Sequence, residues 1–166
     1  VTAYGGECGA GIGSGYNAAG IEGTAKITIT INGGHVTANG NQGSNKWLCA
    51  GIGGGYKESG GSITINGGVV NAHGGWTGIG SGESAESTCE VTVNGGVVIA
   101  TGDNSAGIGG TFSTSTDGNA VIIADGKDAN GISDNSDTTS WSGVIFEGNA
   151  GKVYGTNVTP TEDFTI

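Results

Sequence analysis

The feature that most constrains this chain is a repeat. ITINGG occupies residues 29–34 and again 63–68, and VTVNGG occupies 91–96. A V-x-A element follows each: Val36 to Ala38, Val70 to Ala72, Val98 to Ala100. Next comes a GIG element: AGIGSGY at 10–16, AGIGGGY at 50–56, TGIGSGE at 77–83 and AGIGGTF at 106–112. A worn copy, VIIADG, sits at 121–126. The corner asparagines Asn32, Asn66 and Asn94 are 34 and 28 residues apart. A repeat of this length cannot bury its apolar face alone and must stack on its neighbours. The opening VTA is itself a V-x-A element, so the chain reads as a fragment that starts mid-repeat.

Within each copy the apolar residues alternate, as in a strand with one buried face. Ile29 and Ile31, Ile63 and Ile65, and Val91 and Val93 point one way, while Thr30, Thr64 and Thr92 point the other. Three short strands per copy, parted by Gly-Gly or polar corners, describe one coil of a three-sided solenoid. The expected fold is all-β, a right-handed parallel β-helix with about 28–34 residues per coil. Right-handedness follows the general preference of parallel crossovers. Glycine supplies the bend at Asn-Gly-Gly, and Asn32, Asn66 and Asn94 can bond to one another as a structural ladder. Residues 1–126 read as repeat coils and 127–166 as the last coils, a cap or the start of a linker, within one domain overall. That last stretch carries more bulk, in Trp141, Phe146, Tyr154 and Phe164.

Composition agrees with a narrow core. There are 38 glycines and 34% hydrophobic residues, too few for a conventional core of large side chains. The net charge is −10 and all five basic residues are lysines, so nucleic acid and anionic membranes are poor partners. No apolar run is long enough to cross a membrane as a helix. Cys8, Cys49 and Cys89 are odd in number and fit no zinc spacing. Cys8 and Cys49 fall near one corner of adjacent coils, and small buried thiols are the simplest reading of all three.

The AGIG-(G/S)-G, (I/V)-T-(I/V)-N-G-G and V-x-A elements resemble glycine-rich right-handed β-helix modules of large secreted proteins from anaerobic Gram-positive gut bacteria. The GVIFEGNAGKVYG stretch and the VTPTEDFTI after it are similar to the segment that ends such modules. The resemblance implies a secreted or cell-surface location and other domains on the same parent chain. Related modules include carbohydrate-binding, adhesive and polysaccharide-cleaving proteins, and no catalytic motif of theirs is matched here.

Function in a solenoid sits on a face or on loops that break the repeat. One coil carries two insertions, near YNAAGIEGTAK and NGNQGSNKWLC. The second brings Lys46 and Trp47 to the corner before GIG. The same corner of the next coil holds His73 and Trp76, and the next Asp103 and Asn104. Flat aromatic faces beside polar groups suit a sugar ring, so these six residues are the candidate glycan site. The alternative is that both tryptophans fold back as lids on the core. Gly11, Gly51, Gly78 and Gly107 are expected to face outward, as a bare strip or as simple bends.

Other chemistry is thinner. Glu83, Glu86 and Glu90 cluster after the third GIG, the one arrangement that suggests glycoside hydrolysis. Asp125, Asp128, Asp134 and Asp137, with Asn130 and Asn135 between them, offer hard oxygen ligands for calcium, without the EF-hand spacing. No other cofactor is indicated. His35 and His73 occupy different repeat positions, and no serine or cysteine has a recognisable base partner. Ice binding would need a regular threonine array, which Ile122 interrupts in the fourth copy. The sequence therefore reads as a non-catalytic surface module that binds glycan or another surface protein. A passive spacer is the main alternative and a polysaccharide-cleaving enzyme the lesser one.

Overall fold

The computed structural model describes residues 1–16, 27–41, 47–87, 89–114, 120–127, 129–133, 144–147 and 152–154. Every regular element among them is a strand, and the strands form three sheets, numbered here in chain order. The V-x-A sheet holds β1 (Thr2–Tyr4), β4 (His35–Asn39), β7 (Val69–Gly74), β10 (Gly96–Gly102), β12 (Ala120–Gly126), β13 (Val144–Glu147) and β14 (Lys152–Tyr154). The I-T-I sheet holds β3 (Thr28–Ile31), β6 (Ser62–Ile65), β9 (Glu90–Val93) and β11 (Thr111–Thr114). The GIG sheet holds β2 (Ile12–Gly13), β5 (Ile52–Gly53) and β8 (Ile79–Gly80). All pairings are parallel except β13 with β14. This is the three-sided parallel β-helix that the repeat dictates.

Register follows the repeat. Ile29 pairs with Ile63 and Ile63 with Val91; Ala38 pairs with Ala72, Ala72 with Ala100 and Ala100 with Ala124. Ile12, Ile52 and Ile79 stack in the GIG sheet, and single bridges extend that file to Ile108 and Ile132. These files form the core, in which Ile52, Ile63, Ile65, Ile79, Ile108 and Ile132 are fully buried. At the corner, the Asn66 amide donates to Asn32 Oδ1 and the Asn94 amide to Asn66 Oδ1, each at 2.8 Å. Gly34, Gly68 and Gly96 have φ of 87°, 93° and 89°, a conformation that favours glycine.

Three sequence expectations need correction. The coils shorten along the stack: Val36 to Val70 spans 34 residues, but Val98 to Ile122 spans 24 and Ile122 to Ile145 spans 23. The range of 28–34 holds for Val36 to Val70 and Val70 to Val98, whereas Thr2 to Thr37 spans 35 and the later corners lose their extra residues. Second, Ile122 does not interrupt the threonine file. It pairs with Val98 and is buried, whereas TFST forms β11 and places Ser113 beside Thr92, hydroxyl to hydroxyl at 3.0 Å. The phenylalanine ring hid a strand whose inward residue is Phe112 in place of valine. Third, the GIG glycines do not form an open strip. A Cβ on Gly51 would lie 2.7 Å from His73 N, one on Gly78 2.5 Å from Thr101 N, and one on Gly107 2.6 Å from Asp125 N. The GIG sheet packs backbone to backbone on the V-x-A strand that follows each GIG element in the chain, and any side chain would force the walls apart.

Candidate functional site

The rim flanking the GIG sheet is where the coils differ most. The segment before GIG and the segment after it pair there, staggered by one coil. Tyr56 N donates to Cys8 O at 3.3 Å, and Glu83 N donates to Leu48 O at 2.9 Å. Tyr16, Tyr56 and Glu83 each lie four residues after a stacked GIG isoleucine, so they occupy one position on successive coils.

Rings gather at this position. The Tyr16 and Tyr56 centroids are 5.8 Å apart, and those of Trp47 and Tyr56 are 6.3 Å apart with the planes tilted by 57°. Tyr16 is 49% exposed and Trp47 39%, so the cluster is open to solvent. Lys57 Nζ stands 5.9 Å from the Tyr56 centroid, at the outer limit of a cation–π contact.

Trp47 is held by its backbone. Leu48 N donates to Glu83 Oε2 at 3.1 Å, and the Cys49 thiol donates to Trp47 O at 3.1 Å. Burial pushes the Cys49 thiol up to about 11, so it stays protonated as a donor. Trp47 itself has φ of 71°, a left-handed conformation that costs a bulky residue of order 1–3 kcal/mol. Lys57 and Ser84, at φ of 63° and 59°, repeat one such turn on adjacent coils. Glu58 is fully buried beside this turn, and neither carboxylate oxygen has a hydrogen-bond partner among the described residues.

Trp76 belongs to a different feature of the same rim. It lines a pocket of about 310 Å³ together with Ser84, Glu86, Ser105 and Ser133. Trp47 and the two tyrosines do not line it.

The sequence matches the Beta helix repeat family over residues 1–16, 29–56, 63–83 and 91–112, more than half of the chain. It belongs to the β-helix repeat family. No curated protein and no solved structure matches it.

The six glycan candidates of this β-helix repeat protein therefore divide. Trp47 joins Tyr56, and Trp76 lines the pocket. His73 Nε2 lies 3.1 Å from Asp103 Oδ1, linking adjacent coils, and Asn104 donates to Gly75 O at 2.8 Å. Lys46 lies outside the described residues. Tyr16 and Tyr56 were missed in the sequence, although the repeated AGIG-x-G-Y could have revealed them. The three glutamates also divide: Glu83 caps Leu48 N, Glu86 lines the pocket, and Glu90 begins β9 on the I-T-I sheet. Of the acidic group, Asp125 lies in β12 in register with Thr101, and Asp128, Asp134 and Asp137 lie outside the described residues.

Proposed function

We propose that this β-helix repeat protein is a non-catalytic module of a secreted or cell-surface protein and that it binds carbohydrate. The observation that carries the reading is the solvent-open row of Tyr16, Tyr56 and Trp47 on adjacent coils. Strands of neighbouring coils are about 4.8 Å apart. The rings, with centroids 5.8 and 6.3 Å apart, offer successive apolar surfaces to successive sugars of one chain. Trp47 is kept partly exposed in a strained conformation by three backbone contacts, which a mere lid on the core would not require. The division of Glu83, Glu86 and Glu90 among three features argues against a hydrolytic pair, and the net charge of −10 favours neutral over acidic glycans. Its other partners are surface proteins and further domains of the same chain. Calcium, if bound, belongs to the aspartates near Asp125.

Titration calorimetry against a panel of neutral plant and mucin oligosaccharides tests this. Binding is expected for the wild type and about tenfold weaker for Tyr56→Ala, with the unfolding midpoint nearly unchanged. Silence of the wild type across the panel would refute the reading and favour a passive spacer.

A further inference from the structure

We infer that the pocket under Trp76 is a second ligand site, for a single neutral sugar ring, and that it works independently of the aromatic row. It spans three turns of the stack, from Trp76 and Ser84 to Ser105 and on to Ser133. Its volume of about 310 Å³ lies at the small end of ligand pockets, which fits one ring and not an extended chain.

Its frame is built and hydrogen-bonded across coils. Thr77 donates to Ser81 O at 2.8 Å, Gly60 N donates to the Ser81 hydroxyl at 3.2 Å, and Gly110 N donates to the Ser133 hydroxyl at 2.9 Å. Ser133 therefore keeps its own proton to give to a ligand. Gly109 and Gly110 line the pocket without side chains. One indole ring, several neutral hydroxyls and one carboxylate describe a partner with an apolar face and a hydroxyl-bearing edge. Glu86 is the only ionisable side chain among the described lining residues, and the chain carries −10 overall. Anionic sugars would meet no cation here and would be repelled. Peptides gain less, because a backbone needs paired donors and acceptors in extended array, which a pocket of this size does not offer.

The test uses Trp76 as its own reporter. In the full chain, Trp47→Phe with Trp141→Phe leaves Trp76 as the sole tryptophan. Neutral hexoses, N-acetylhexosamines and their disaccharides are titrated against it, with glucuronate and sialic acid beside them. A saturable blue shift with a neutral sugar, absent with the acidic ones, is expected. Ser105→Leu, which fills the pocket, is expected to weaken it at least about tenfold. Ser133→Leu, at an exposed position, serves if Ser105→Leu fails to fold. No saturable change with any neutral sugar overturns the proposal. So does an undiminished response in the folded pocket-filling variant, or preference for an acidic sugar. Calorimetry on Tyr56→Ala separates the two sites: its single-sugar binding should match the wild type, and a parallel loss would show that the pocket is not a site of its own.

Discussion

Replacing Ile65 by alanine probes the assumption on which the fold rests, that stacked inward side chains hold the coils together. Ile65 is fully buried and lies between Ile31 of one coil and Val93 of the next. The change removes three carbon atoms, a transfer loss of about 2.4 kcal/mol at ~0.8 kcal/mol per carbon. The neighbouring coils are fixed by backbone ladders and cannot close the gap. A residual void of roughly 50 Å³ adds about 1 kcal/mol at ~24 cal/mol per Å³. The expected cost is about 3–4 kcal/mol, which lowers the melting temperature by roughly 6–16 °C in a domain of this size. Thr64, the adjacent residue, faces outward, and Thr64→Ala should stay within about 0.5 kcal/mol. Urea unfolding followed by circular dichroism measures both, provided the slope is unchanged. A cost below about 1 kcal/mol for Ile65→Ala, or equal costs for the two variants, would refute the argument.

Gly78→Ala should prevent the third coil from closing, since its Cβ would lie 2.5 Å from Thr101 N and 2.6 Å from Gly107 O, both backbone; Gly33→Ala, with open space around it, should fold normally, and circular dichroism compares them. Asn66→Ala breaks both amide bonds of the ladder at an exposed corner and should cost about 1 kcal/mol in a thermal melt. Burial pushes the Cys49 and Cys89 thiols from the ordinary 9.0 up to about 11, so in native protein near pH 8 they should react with a thiol reagent far more slowly than half-buried Cys8. The folded state binds these protons more tightly than the unfolded state, so their contribution to stability is intact below pH 9 and falls as pH rises from about 9 to about 11. Glu83→Ala frees the Trp47 backbone by removing the acceptor for Leu48 N; glycan affinity should fall several-fold while Glu83→Gln, which keeps an acceptor oxygen, restores it.

The sheets were legible because register in a solenoid is written in the spacing of like residues. Ile29, Ile63 and Val91 announce one file, and Asn32, Asn66 and Asn94 announce the corner beside it. Legibility ended where the type of residue changed while its place did not. Phe112 continues a valine position and Ser113 a threonine position, so Thr111 and Phe112 read as the tail of AGIGGTF and not as the start of a strand. The GIG glycines were misjudged for a different reason. Alternation predicts which way a residue points but not what stands there, and opposite the inward isoleucines the backbone of the V-x-A strand leaves no room for a side chain at the glycines. The candidate site was half visible. Trp47 and Trp76 stood out by type, but their partners came from the stagger between segments before and after GIG, a relation between coils that no single repeat displays.

The departures from good local structure in this chain collect on one rim. Trp47, Lys57 and Ser84 are the described non-glycine residues with positive φ, and Glu58 is a fully buried carboxylate with no bond to either oxygen among the described residues. Elsewhere, side chains stack on their own kind and corner amides bond to corner amides. Lengthening a corner costs little, because closure entropy grows only slowly with loop length, so the rim can diverge while the sheets cannot. Strain and unpaired polarity persist only where the surroundings enforce them, and such places concentrate at ligand sites. The backbone bonds from Glu83 and Cys49 are that enforcement for Trp47. A spacer needs no such arrangement: the same coils with a glycine at position 47 would carry less strain. The aromatic row is thus better explained by what it can touch than by what it supports.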